Sequence, residues 1–288
     1  MAFSRSVSLL FILILGSLSA VAQTQAVSDE ENAANKFFNE GNAFLKKGQA
    51  KEAITAYEEA IKTYPKAGRF YYNMGQAYRK QGNTASAIET FKKGIEAEPS
   101  FAKTYDALGK AYEQSGKLDE AIKAYLKGIQ TVPDEEDNYV SIGRALIQDR
   151  KPKEAIKHLQ KAIELNPKDE FAYYYLGIAH SENKDHKEAV KVFTKGTEVN
   201  NKNDELYLRL AMSQNELGDY KNAAENAKKS VTLKKGGDNR KGANYYELGR
   251  ALKGLAKNGE ARDAFKSAKK DASWARNADY QLDLLKGK

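Results

Sequence analysis

Apolar residues return along this chain at two intervals. The short interval is helical. In residues 102–135, Tyr105, Leu108, Ala111 and Tyr112 share one face of a helix, and Ala121, Ile122, Tyr125 and Ile129 share one face of a second. Gly116 between them tolerates the left-handed conformation that ends helices. Asp119 and Glu120 fall in the first turn of the second helix, where the helix dipole favours acid, and Pro133 stops that helix from running on. The long interval is 34 residues: Gly41, Gly75, Gly109, Gly143 and Gly177 follow one another at that spacing, Ala211 takes the next place, and Pro65, Pro99, Pro133 and Pro167 keep the same beat. A fixed period of this length predicts a stacked array of two-helix units, seven in all.

Units one to six cover residues 34–237 and unit seven covers 242–275, with 238–241 as an inserted loop. The sixth unit departs most from the pattern. Ala211 replaces glycine, Gln214 and Ala227 replace large apolar residues, and Lys235 stands where proline is expected. The insertion Asp238-Asn239-Arg240-Lys241 then moves Gly249 to 38 residues after Ala211. Lys234 to Lys241 reads as a mobile loop and a weak joint. Beyond unit seven, Trp274, Ala278, Leu282 and Leu285 fall at helical spacing, predicting a capping helix over 276–288 that begins near Trp274. A helical array needs such a cap to keep its last apolar edge out of water.

Residues 1–22 read as a secretory signal peptide, with Arg5 ahead of the apolar run Val7 to Leu18 and Ala20-Val21-Ala22 as the cleavage site. The run is shorter than the ~20 apolar residues that span a bilayer. The expectation is an exported protein, periplasmic or secreted, with no transmembrane segment in its mature form. Residues 23–33 are polar and acidic, a flexible lead-in.

Aligned on the 34-residue beat, the chain resembles the tetratricopeptide repeat (TPR) family. The fourth place holds Phe37, Tyr71, Tyr105, Tyr139, Tyr173, Tyr207 and Tyr245, where the family usually has Trp. The eighth holds Gly in every unit but the sixth, and the twentieth holds Ala53, Ala87, Ala121, Ala155, Ala189, Ala223 and Ala261. The resemblance implies an all-α, right-handed α-solenoid of seven TPR helix-turn-helix units with a C-terminal capping helix. It also implies a scaffold that binds a protein or peptide partner in a concave groove lined by the first helix of each unit. By the family's register the groove takes Asn42, Arg69, Tyr72, Asn73, Gln76, Lys103, Lys110 and Arg144, with Phe171 and Tyr174 forming an aromatic wall beside Tyr175 and Ile178. A basic middle next to that wall suits an extended peptide carrying carboxylates. TPR domains that clamp the carboxyl terminus of cytosolic chaperones carry Lys, Asn, Asn, Lys and Arg at five groove places, which here hold Phe38, Asn42, Asn73, Lys103 and Ala107. The outer Lys and the Arg are missing, so chaperone-tail binding is not expected.

Composition narrows the chemistry further. There is no cysteine, which excludes disulfides, thiolate metal sites and a cysteine nucleophile. Of the three histidines, His180 takes the place of a core tyrosine and His186 sits in a turn, too few ligands for a metal. Neighbouring carboxylates such as Glu58 and Glu59 fall on outer faces, and the glycines follow the repeat and form no phosphate loop. The expectation is no enzyme activity, no cofactor and no metal. The net charge of +8 is concentrated at one end, with 16 Lys and Arg against 7 Asp and Glu in residues 228–288, and 31 against 32 in the rest. Export argues against a nucleic-acid partner. An anionic envelope polymer or lipid headgroup at the basic end is one alternative role, and an architectural homo-oligomer is another.

Overall fold

The computed structural model describes residue 26 and residues 28–286. Residues 1–22, the segment read as a signal peptide, lie outside the described residues. The helices fall into two compact lobes, one ending at Pro133 and the other beginning at Asp134. The first lobe holds α1 (28–46), α2 (Ala50–Thr63), α3 (Gly68–Lys80), α4 (Thr84–Ala97), α5 (Lys103–Gln114) and α6 (Leu118–Thr131). The second holds α7 (Glu136–Gln148), α8 (Pro152–Leu165), α9 (Glu170–Glu182), α10 (His186–Val199), α11 (Asp204–Glu216), α12 (Tyr220–Leu233), α13 (Gly242–Gly254), α14 (Asn258–Lys269) and α15 (Ala275–Leu284). No strand occurs among the described residues. Within each lobe, successive helices pack as antiparallel hairpins, and the first helices of neighbouring units lie side by side.

The hairpins close on one recurring contact. A methyl group added at Gly41, Gly75, Gly109, Gly143, Gly177 or Gly249 would sit between 2.3 and 2.6 Å from Tyr57, Phe91, Tyr125, Leu159, Phe193 or Phe265 respectively. No real Cβ tolerates such a distance from a packed ring or branched side chain. The first helix therefore gives up its side chain at the eighth place so that the second can bury a large one at the twenty-fourth. Tyr57, Phe91, Tyr125, Leu159, Phe193 and Phe265 are all fully buried as a result.

The turn between the paired helices is equally regular. Gly48, Gly82, Gly116 and Gly218 hold φ between 75° and 78°, and Arg150, Lys184 and Ala256 hold the same left-handed turn at φ 59°, 65° and 58°. All seven stand at one repeat position. The geometry is thus imposed by the hairpin, and glycine is only the residue that adopts it most easily.

Two expectations need correction. Helix α1 reaches back to residue 28, into the segment read as a flexible lead-in, because Glu31 and Asn35 both bind Arg69 of α3, at 2.7 and 3.0 Å. The joint after unit six is not a loose loop. Asp238–Arg240 forms a 3-10 turn held on both sides: Asp238 accepts from Tyr245 at 3.0 Å and pairs with Lys270 at 2.8 Å. Lys234 pairs with Asp204 and Glu205 at 3.0 and 2.9 Å, and Lys241 Nζ donates to the Val231 carbonyl at 3.0 Å. One continuous core runs from Ala211 through Ala223, Ala227, Leu252 and Phe265 to Ala278 and Leu285, joining unit six, unit seven and the cap.

Unit six keeps its hairpin by changing both sides of the contact. Ala211 stands at the glycine place, and Ala227 stands where the other units carry a ring or leucine; both are fully buried. We expect Ala227→Phe alone to cost about 1–3 kcal/mol, the usual penalty of overpacking. Adding Ala211→Gly should recover more than half of that loss, as measured by thermal unfolding. Strictly additive effects of the two changes would contradict this account of the pair.

Candidate binding faces

In the first lobe, the side chains placed on the first-helix face by the repeat register are largely engaged with one another. Asn42 Oδ1 accepts from Tyr57 Oη at 2.8 Å and from Asn73 Nδ2 at 2.9 Å. Arg69 is tied to Glu31 and Asn35, and its guanidinium lies 4.8 Å from the Phe70 ring centre. Gln76 Oε1 accepts from Arg79 Nη1 at 3.0 Å, and Lys110 pairs with Asp106 at 2.8 Å. Tyr72 packs against Phe91 and Phe101, at 6.3 and 5.8 Å between ring centres. Lys103, at the start of α5, is exposed. The structure thus joins Asn42 and Asn73 by a hydrogen bond, and it gives Arg69 and Tyr72 structural work.

The second lobe presents a different face. Arg144 is half-buried on α7. Phe171, at the start of α9, is 56% exposed, an unusual position for a phenylalanine. One turn on, Tyr174 meets Tyr175 edge to face with ring centres 5.2 Å apart. From α11, Arg209 reaches over Tyr174, its guanidinium 5.8 Å from the ring centre and Nη2 3.5 Å from the phenol oxygen. Arg209 also lines a cavity of about 340 Å³, together with Ile178, Ser181, Glu182, Lys184, His186, Met212, Ser213 and Glu216. Arg209 Nε and His186 Nδ1 are buried there without a hydrogen-bond partner. His186 is therefore part of a cavity wall and not simply a turn residue. Glu216 is held by Arg250 at 2.8 Å, and that bond is the main reason its carboxyl sits below the usual carboxylate range.

The sequence reading placed His186 in a turn and did not reach Arg209, Met212 or Glu216. Arg209 and Met212 occupy the sixth and ninth places of unit six, so the register used for units two to five would have found them if carried one unit further.

Behind this face, α11, α12 and α13 share buried polar groups. Gln214 Oε1 accepts from Asn226 Nδ2 at 2.9 Å, and Asn244 Nδ2 donates to Ser230 Oγ at 3.0 Å. Asn215 Nδ2 donates to the Glu247 carboxylate at 2.8 Å and to its carbonyl at 3.0 Å. Arg250 Nη1 reaches the same carboxylate at 3.1 Å. Burial still pushes the Glu247 carboxyl above its ordinary pKa, against the opposing pull of Arg250 and Asn215. Burial likewise lowers the pKa of His158, whose ring centre lies 6.2 Å from that of Tyr139. Among the described residues, no group of three or more His, Asp or Glu is placed to hold a metal ion, and no helix is long and apolar enough to cross a membrane.

Paired helices at a fixed period, side by side, define a helical-repeat scaffold. The family model described as the cilia and flagella-associated protein 70 C-terminal domain, a TPR model, matches residues 68–283, and the TPR repeat model matches residues 41–82. The chain belongs to the tetratricopeptide-repeat family, whose fold serves protein interaction. Among solved structures it is similar to MamA, with 28% identity, a TM-score of 0.50, and coverage of 56% of this chain and 95% of that one. It is similar in fold to YrrB, described as a TPR protein with an unusual peptide-binding site, at 22% identity, TM-score 0.53, and coverage of 62% and 92%. A tetratricopeptide repeat protein from Parabacteroides merdae ATCC 43184 matches over 88% of this chain and 99% of its own, at 17% identity and TM-score 0.59. No protein of curated function matches the chain.

One carboxyl at the start of α7 should make stability depend on pH. Burial, and then the neighbouring Asp169, push Glu136 from its ordinary 4.5 up to about 8, and Glu136 Oε1 is shut off from water without a hydrogen-bond partner. The folded state thus prefers the protonated form. Its contribution to stability is complete below pH 4.5 and is lost as pH rises through about 8. Glu136→Gln should match the parent at low pH and become progressively more stable than it toward pH 8, read as melting temperature. A stability difference independent of pH would refute the assignment.

Proposed function

We propose that this chain is an exported, non-enzymatic scaffold that captures an extended peptide segment of a partner protein on the faces formed by its first helices. The observation that carries this reading is the face of the second lobe. There Phe171 stands exposed beside Tyr174 and Tyr175, next to a cavity whose arginine Nε has no acceptor. Apolar rings grouped in the open beside convergent polar groups mark interaction sites. The peptide-binding site for which YrrB is described supports the same use of the fold.

In the first lobe the proposed contacts are Asn42, Asn73, Gln76 and the exposed Lys103, with Arg69, Tyr72 and Lys110 shaping the surface around them. Arg144, Phe171 and Tyr174 carry the second lobe. Export rests on the signal-peptide pattern of residues 1–22. At the basic C-terminal end, Lys234, Lys257, Lys266, Lys269, Lys270 and Lys286 each pair with a nearby carboxylate, and binding of an anionic surface there stays an alternative to this reading.

Affinity capture from an envelope fraction tests the reading. Phe171→Ala with Tyr174→Ala should abolish recovery of the partner without lowering the melting temperature by more than a few degrees. Unchanged recovery would move the binding site off this face. Intact-mass measurement should find a mature chain beginning at Gln23, and a membrane-bound form retaining Met1 to Ala22 would refute export by cleavage.

A further inference from the structure

The cavity beside Tyr174 has an unbalanced interior. Arg209 has no carboxylate partner among the described residues; its Nη2 donates to the Tyr174 phenol at 3.5 Å, and its Nε is buried without an acceptor. Lys184 and His186 line the same space from the turn and first residue of α10, and His186 Nδ1 is likewise unpartnered. Of the two acids on the wall, Glu216 is bound to Arg250 at 2.8 Å and also faces the charges of His186 and Lys184, and Glu182 is exposed at the edge, so Arg209 is the cation left without a carboxylate. Ile178 and Met212 supply an apolar floor. A buried guanidinium edge without an acceptor leaves a charge-assisted hydrogen bond unmade, and a planar carboxylate completes it best.

We propose that this cavity is a subsite for one acidic side chain of the peptide: a glutamate or aspartate whose carboxylate binds Arg209 while an apolar neighbour packs on Phe171 and Tyr174. This rests on the reading of the face as a peptide site and specifies which residue the site selects. An internal side chain fits better than a free carboxyl terminus because the face continues past the cavity. On the far side of the Glu216–Arg250 pair lies a second opening of about 480 Å³, lined by Asn215, Lys253 and Gln281 among others. A bound chain can therefore run on instead of ending. With one guanidinium edge open and Glu182 at the rim, the subsite suits a singly charged carboxylate better than a doubly charged phosphate.

The test uses the full mature chain and an array of immobilised ten-residue peptides. Their central residue is Glu, Asp, Gln or phosphoserine, with Leu, Val or Ser on either side. Peptides with Glu or Asp should be retained over their Gln counterparts, most strongly beside Leu. Arg209→Met, which keeps the side-chain bulk, should reduce their retention roughly tenfold or more, the usual worth of a charged hydrogen bond. Arg209→Lys should restore part of it. The surface variant Lys228→Met serves as a charge control and should change nothing. Equal retention of Gln peptides, a preference for phosphoserine, or equal loss in the Lys228→Met variant would overturn the subsite. If the array shows no acid selection while the native partner is still lost from the Phe171→Ala/Tyr174→Ala variant, the subsite falls and the peptide-binding face stands. If acid selection holds but that variant still captures its partner, the face is not where the partner binds.

Discussion

The close approach of a bare backbone to a buried ring, or in unit four to a leucine, is the contact on which everything else in this chain depends. At the eighth place of six units there is no room for a methyl group, because the opposing side chain of the second helix fills that space. This sets how near the two helices of a hairpin lie and which way each one faces. With the rings turned inward between paired helices, the first helices of neighbouring units are left side by side, with their other faces toward solvent. A binding surface of this kind is a by-product of packing: the hairpin contact fixes where groove positions point before any partner is considered.

Unit six shows that the contact can be satisfied another way. With alanine on both sides, volume is shared between the helices, and the apolar ring is replaced by hydrogen bonds around it. Gln214 with Asn226, Asn244 with Ser230, and Asn215 with Glu247 and Arg250 form a polar seam between α11, α12 and α13. Such groups cost desolvation, and removing one partner would strand the other. Of these, the Asn244–Ser230 and Asn215–Glu247 bonds join unit six to unit seven across the inserted residues.

Much of this architecture was legible in the sequence. Spacing of 34 residues is enough to place the hairpins, because glycine at one place and an aromatic at another report a contact that geometry leaves no freedom to make differently. The signals that failed were those carried by long polar side chains. Lys234 and Asp238 look like loop residues in a line of text, since nothing local says that Asp204, Glu205 and Lys270 converge on them. Arg69 looked like a binding residue for the same reason, and the structure turns it toward Glu31 and Asn35. Arg150, Lys184 and Ala256 hide the left-handed turn that glycine announces elsewhere. Arg209 was visible only to the family register, whose use stopped one unit short.

The C-terminal end has a property of a different kind. Trp274, the chain's one tryptophan, stands at the start of α15 with its indole centre 5.0 Å from the Tyr246 ring, and Tyr246 in turn meets Phe265 at 5.6 Å. Tyr246 and Gln281 are also joined across the same joint, at 3.4 Å. The molecule therefore carries a native optical label at the seam between its last repeat and its cap. Indole emission responds to water and to neighbouring dipoles, so lifting or covering that edge changes the colour of its light without any dye or engineered residue. A structural end-piece thus doubles as a spectroscopic gauge of the array's last interface.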